Sequence, residues 1–152
     1  RTIATVLGIG RLPGAPGTWA SVAALPVAWV IQSAFGSIGL LTAGVALLVV
    51  GGWAADAIER ASGRRDPAEV VVDEVAGQWL TLVPVSPDPV IYGLGLVLFR
   101  LVDITKPWPV SWLERRFSGG FGIMIDDVAA AAYAGLCLYV LSRWILLGDA
   151  PQ

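Results

Sequence analysis

The sequence predicts an all-α, polytopic helical membrane bundle, with three full spans plus a helical hairpin that either spans or re-enters. Three observations predict it. Hydrophobic residues are 56% of the 152 and charged residues only 14%, whereas a water-solvated domain carries about 25% charged residues. Mean hydropathy is +0.72. Apolar residues gather in four long stretches, and seven tryptophans in so short a chain suit an interfacial aromatic belt. The length fits one domain, residues 1–152.

The first stretch runs from Trp19 to Phe35, with Pro26 and Gln32 inside it, and the second, Ile38 to Ala55, is uninterrupted. A spanning helix needs about 17–25 apolar residues, which both satisfy. The third region, Val75 to Val102, is broken at Pro84-Val85-Ser86-Pro87-Asp88-Pro89. Prolines lack an N–H and clash with the preceding turn, so this region reads as a hairpin with arms near Val70–Val85 and Pro89–Val102. The fourth stretch, Val128 to Leu147, contains only Arg143 as a charge.

Threading these stretches puts the polar segments Gly8–Thr18, Asp56–Glu74 and Asp103–Asp127 on one side. Nine of the ten basic residues, all but Arg143, fall on or beside that face. Cytoplasmic loops are enriched in Lys and Arg, so this face is expected to be cytoplasmic. Arg1 to Gly10 is too rich in glycine to be a cleaved signal peptide. No Lys/Arg stripe could follow a phosphodiester backbone, which argues against nucleic acid. Cys137 is single and sits in an apolar run, and the absence of histidine excludes His-based hydrolases and His-ligated zinc.

Four elements carry chemistry. Asp73 and Glu74 interrupt Val70-Val71-Val72 and Val75, and two adjacent carboxylates in an apolar run require a partner or a cation. Arg100, Asp103 and Lys106 recur every three residues, on one helix face that Pro107 ends. Ser118-Gly119-Gly120-Phe121-Gly122 precedes Asp126 and Asp127, and amides at such a turn attract anions, which makes Gly119 and Gly120 candidate phosphate contacts. Gly8 to Trp19 is a second Gly-rich segment; it carries Arg11 and has Thr18 placed to cap the first helix. Together these put Asp73, Glu74, Asp103, Asp126 and Asp127 on one face with Arg11, Arg100 and Lys106. Such crowding requires a cation, and oxygen ligands select magnesium or manganese. Basic neighbours supply the partner for a substrate phosphate.

At these residues the chain resembles phosphatidylglycerophosphatase A, a bacterial family of membrane lipid phosphatases. The matching stretches are Leu12-Pro13-Gly14-Ala15-Pro16-Gly17-Thr18-Trp19, Val72-Asp73-Glu74-Val75-Ala76-Gly77, Arg100 to Pro109, and Gly119 to Asp127. The resemblance implies Mg²⁺-dependent removal of the terminal phosphate of phosphatidylglycerophosphate at the inner membrane. It places catalytic groups at Asp73, Glu74, Asp103, Lys106, Asp126 and Asp127. Metal ligands are expected among Asp73, Glu74, Asp103 and Asp127, and substrate contacts at Arg11, Thr18, Arg100, Lys106, Gly119 and Gly120. Ala20, and the unbroken Val128-Ala129-Ala130-Ala131-Ala132, stand where the family carries glycine. Two alternatives stay open. A small transporter or channel subunit would spread its acids through the bilayer, whereas ten of the twelve here fall on one side. A CDP-alcohol phosphotransferase would space its aspartates along one helix.

Overall fold

The computed structural model describes residues 2–64, 67–117 and 120–148. Among them every regular element is helical, as the composition predicts. A 3-10 turn, Ile9–Arg11, leads into α1 (Pro16–Ser62), α2 (Val72–Leu82), α3 (Pro89–Thr105), α4 (Val110–Arg116) and α5 (Gly120–Gly148). Among the described residues two helices are long and apolar enough to cross a membrane: α1, and Met124–Ile145 within α5.

α1 starts earlier than the apolar run because Pro16 opens it. Proline's fixed φ suits a first helical turn, where the missing N–H is not needed. The N-cap is Ala15, with no side-chain cap. Thr18 therefore lies inside the first turn instead of capping the helix. At Gly36 the backbone takes φ 67 and ψ −171, a conformation open to glycine and costly for other residues. There the chain folds back. Trp79 Nε1 donates to the Ala24 carbonyl at 3.1 Å on the first arm, residues 16–35. Gly44, on the second arm (37–62), lies against Trp79 and Leu80. Towards the other end Gly17 meets Glu74 and Gly51 meets Val72. The two arms therefore run antiparallel along α2.

α2 is the central element and packs against α1, α3 and α5. Its 11 residues rise only about 16 Å, so it cannot cross a bilayer by itself. Prolines end it as predicted, and Asp88 caps α3, accepting from the amides of Val90 and Ile91 at 2.8 and 2.9 Å. The hairpin tip is tied to α1 through Gln32. Its Nε2 donates to the Val85 carbonyl at 2.7 Å and to Ser37 Oγ at 3.2 Å, and the Tyr92 hydroxyl donates to its Oε1. Arg143 of α5 lines a cavity of about 330 Å³ there, with Ser86 and Asp88. The Gly36 turn, the 83–88 turn and the C-terminal part of α5 thus share one end of the bundle.

Two features differ from the sequence reading. α5 begins at Gly120, so Asp126 and Asp127 lie nearly two turns inside it instead of at its N-terminus. Glycine is a poor helix former, but Gly122 packs so closely on Phe117 that a β-carbon would lie 2.8 Å from its carbonyl carbon. The Phe117 backbone leaves room only for glycine at this position. The second feature is α4, which was not anticipated. Its Val110 is fully buried with Phe99, Ala130, Ala131 and Ala134.

Candidate active site

The opposite end of the bundle holds the acidic residues. Val71 and Val72 are buried, and the Val71 amide donates to the Ala4 carbonyl at 2.8 Å, which pins the start of α2. Asp73 and Glu74 follow in its first turn, where the helix dipole favours negative charge. Asp127 arrives from α5. Gly77 permits that approach, since a β-carbon there would sit 3.3 Å from the Asp127 carbonyl oxygen. Asp73, Glu74 and Asp127 each present one carboxylate oxygen within 4.8 Å of the other two.

Two of the three cations predicted for the site, Arg100 and Lys106, stand beside this trio. Arg100 Nη1 lies 2.7 Å from Asp103 Oδ2 and 3.7 Å from Glu74 Oε1. Lys106 Nζ lies 2.7 Å from Asp126 Oδ2. Lys106 is the C-cap of α3, at φ 42 and ψ 59, one step beyond the last turn where the sequence placed it. Asp103 and Asp126 are therefore each held by their own cation. Asp103, expected among the metal ligands, faces the same cavity but stands outside the trio, bound to Arg100.

These groups line a polar cavity of about 330 Å³, closed on the α1 side by Ala15, Pro16 and Gly17. Three of the lining carboxylates keep buried oxygens without hydrogen-bond partners: Glu74 Oε2, Asp126 Oδ1 and Asp127 Oδ2. Two like charges within 4.8 Å repel by about 3 kcal/mol at an effective dielectric near 20. A hard divalent cation among the three oxygens would reverse the sign of that energy, and an all-oxygen donor set suits such an ion. The residues present fit it.

Other predicted contacts are not brought together. Arg11 pairs with Glu69 at 3.4 Å with its side chain 58% exposed, and neither Arg11 nor Thr18 lines the cavity. Gly120 opens α5, and Gly119 lies outside the described residues. Gly17 was missed as an individual position. A β-carbon there would collide with the Glu74 carboxylate and lie 3.1 Å from Arg100 Nη1. A glycine has no functional group to draw attention. Its signals were membership of a Gly-rich segment and of one stretch that carries the family resemblance, and neither points to the close approach to Glu74 seen here.

The family model described as Phosphatidylglycerophosphatase A matches residues 2–142. A phosphatidylglycerophosphatase A of Escherichia coli (strain K12) is 32% identical over 153 residues, covering 95% of this chain and 84% of that protein. One from Haemophilus influenzae is 31% identical, covering 95% and 89%. A Bacteroides thetaiotaomicron protein, provisionally named a phosphatidylinositol-3-phosphatase, is 36% identical, covering 95% and 93%. No solved structure matches at a significant level. With the family match running from the N-terminal turn to α5, through every residue of the carboxylate trio, the chain belongs to the phosphatidylglycerophosphatase A family and is an enzyme, a phosphoric monoester hydrolase.

Proposed function

We propose that this protein is a Mg²⁺-dependent lipid phosphatase. It hydrolyses phosphatidylglycerophosphate to phosphatidylglycerol and phosphate in the bacterial inner membrane, with its site facing the cytoplasm. The observation that carries the reading is the convergence of Asp73, Glu74 and Asp127 within 4.8 Å, at one end of an apolar bundle and beside two cations. In the bilayer the two arms of α1 and α5 serve as three spans. The α2–α3 hairpin packs among them, with its tip at the far interface. The cavity end then carries most of the basic residues, the arrangement expected of a cytoplasmic face.

Asp73, Glu74 and Asp127 would hold the metal, with Asp103 in reserve beside them. Bound there, a divalent cation supplies charge neutralisation at the phosphoryl oxygens and lowers the pKa of water. The chain's own contributions are separate. Arg100 and Lys106 offer hydrogen-bond donors to the remaining phosphate oxygens, at the cost of loosening their present carboxylate partners. The carboxylate so released, Asp103 or Asp126, would accept a proton from the attacking water as the water oxygen bonds to phosphorus. The bond from phosphorus to the phosphatidylglycerol oxygen breaks, and that oxygen takes up a proton. If the carboxylate attacks instead, the same bond breaks and water then cleaves the phospho-aspartate to free phosphate. Gly17 gives Glu74 room to lie flat against α1 and so fixes its orientation.

Phosphate release from phosphatidylglycerophosphate in detergent tests this directly. Release is expected with Mg²⁺, and it should vanish with chelator and return when Mg²⁺ is restored. Release that persists through chelation would overturn the metal assignment, and no release at all would overturn the substrate. The Bacteroides relative's name makes a phosphatidylinositol phosphate the informative competitor in the same assay.

A further inference from the structure

We infer that the outward face of α4 is a docking surface for anionic phospholipid headgroups of the surrounding leaflet. It collects them beside the cavity. Its role in substrate capture rests on the lipid phosphatase reading.

Residues 112, 115 and 116 are spaced three and four apart, so Trp112, Arg115 and Arg116 share one face of the helix. All three are exposed. Trp108, just before α4, is 75% exposed as well. The opposite face decides how deep α4 lies. Val110 packs with Phe99, one turn inward of Asp103, and with Ala131, one turn inward of Asp127. The helix is therefore tucked alongside the cavity and does not stand above it. At the membrane border an outward face at that level meets headgroups, the zone where tryptophan side chains concentrate.

Charge complementarity names the occupant. Within the cavity Arg100 and Lys106 are engaged by carboxylates at 2.7 Å. Arg115 and Arg116 make no ion pair among the described residues. A lipid phosphate monoester approaching five carboxylates is repelled at range, so attraction has to come from outside the trio. Two guanidinium groups flanked by indoles supply it, since a basic residue near an anionic membrane surface draws phosphate strongly and arginine pairs it in a bidentate fork. Only Pro107-Trp108-Pro109 separates Lys106, at the cavity's edge, from this helix.

The full chain in phosphatidylcholine vesicles, with phosphatidylglycerophosphate as a minor component, provides the test. The double variant R115Q/R116Q is expected to raise KM by about five- to thirty-fold at low salt, the effect of one to two surface arginines. Its kcat should be unchanged and the difference should shrink in high salt. Equal KM at low salt, or a loss confined to kcat, would overturn the inference. A second measurement does not depend on turnover. Subtracting the fluorescence of Trp112→Phe isolates Trp112, which brominated phosphatidylglycerol should quench more than brominated phosphatidylcholine, a preference that R115Q/R116Q removes. Equal quenching by the two lipids would refute the dock. A wild type that releases no phosphate refutes the phosphatase reading alone, and the quenching comparison still decides whether α4 docks anionic lipid.

Discussion

The two ends of the bundle bury polar groups in opposite ways. At the far end Gln32 is a neutral hub that serves Val85, Ser37 and Tyr92, with donors and acceptors matched. At the cavity end five carboxylates face two cations, and Glu74, Asp126 and Asp127 keep buried oxygens without partners. A matched network is complete as folded; an unmatched one is complete only when something binds. Burial is alike at these two ends, and what distinguishes them is charge together with the satisfaction of the buried groups.

The largest effect should come from removing charge at the incomplete end. Asp73→Asn or Asp127→Asn is expected to lower phosphate release by about 10²–10⁴-fold or more, with Tm in chelator unchanged or higher because repulsion is relieved. Normal activity in both variants would erase the distinction between the two ends. Next, Gly17→Ala should displace the Glu74 carboxylate and cut kcat/KM by about 10²-fold, the cost of an ångström-scale misplacement. A wild-type rate would remove Gly17 from the site. At the complete end, Gln32→Leu strands the Val85 carbonyl and the Tyr92 hydroxyl and should cost about 1–2 kcal/mol of stability. Denaturation in detergent reads this loss, and kcat/KM should hold. The smallest effect is expected at Gln78, fully buried with both amide atoms unpartnered. Replacing it with leucine should be neutral or stabilising by about 1 kcal/mol, and a marked fall in Tm would mean its amide is satisfied after all.

Much of this was legible because the signals were strong and local. Pro84, Pro87 and Pro89 broke the third apolar region where the chain turns, and α2 and α3 lie within a few residues of the arms drawn from it. Asp73, Glu74, Arg100, Asp103, Lys106, Asp126 and Asp127 all line one cavity. Carboxylates in apolar surroundings are costly enough to betray a site without a fold. What was not legible depended on packing between distant segments. The run before Asp126 reads as a loop from its glycines, yet it is already helix, with Gly122 against the Phe117 backbone where a β-carbon would not fit. α4, with seven residues, is too short to show a period, and its identity as a helix lies in Val110 meeting Phe99. Arg11 has a charge suited to phosphate, yet Glu69, more than fifty residues away in sequence, claims it.

That the trio draws on both α2 and α5 has a consequence for biogenesis. A chain emerging from the ribosome acquires Asp73 and Glu74 well before Asp127, because more than fifty residues separate them. Until then only two of the three clustered carboxylates exist. A chain truncated before α5 would lack Asp127, and the cluster would be reduced to two neighbouring carboxylates on α2.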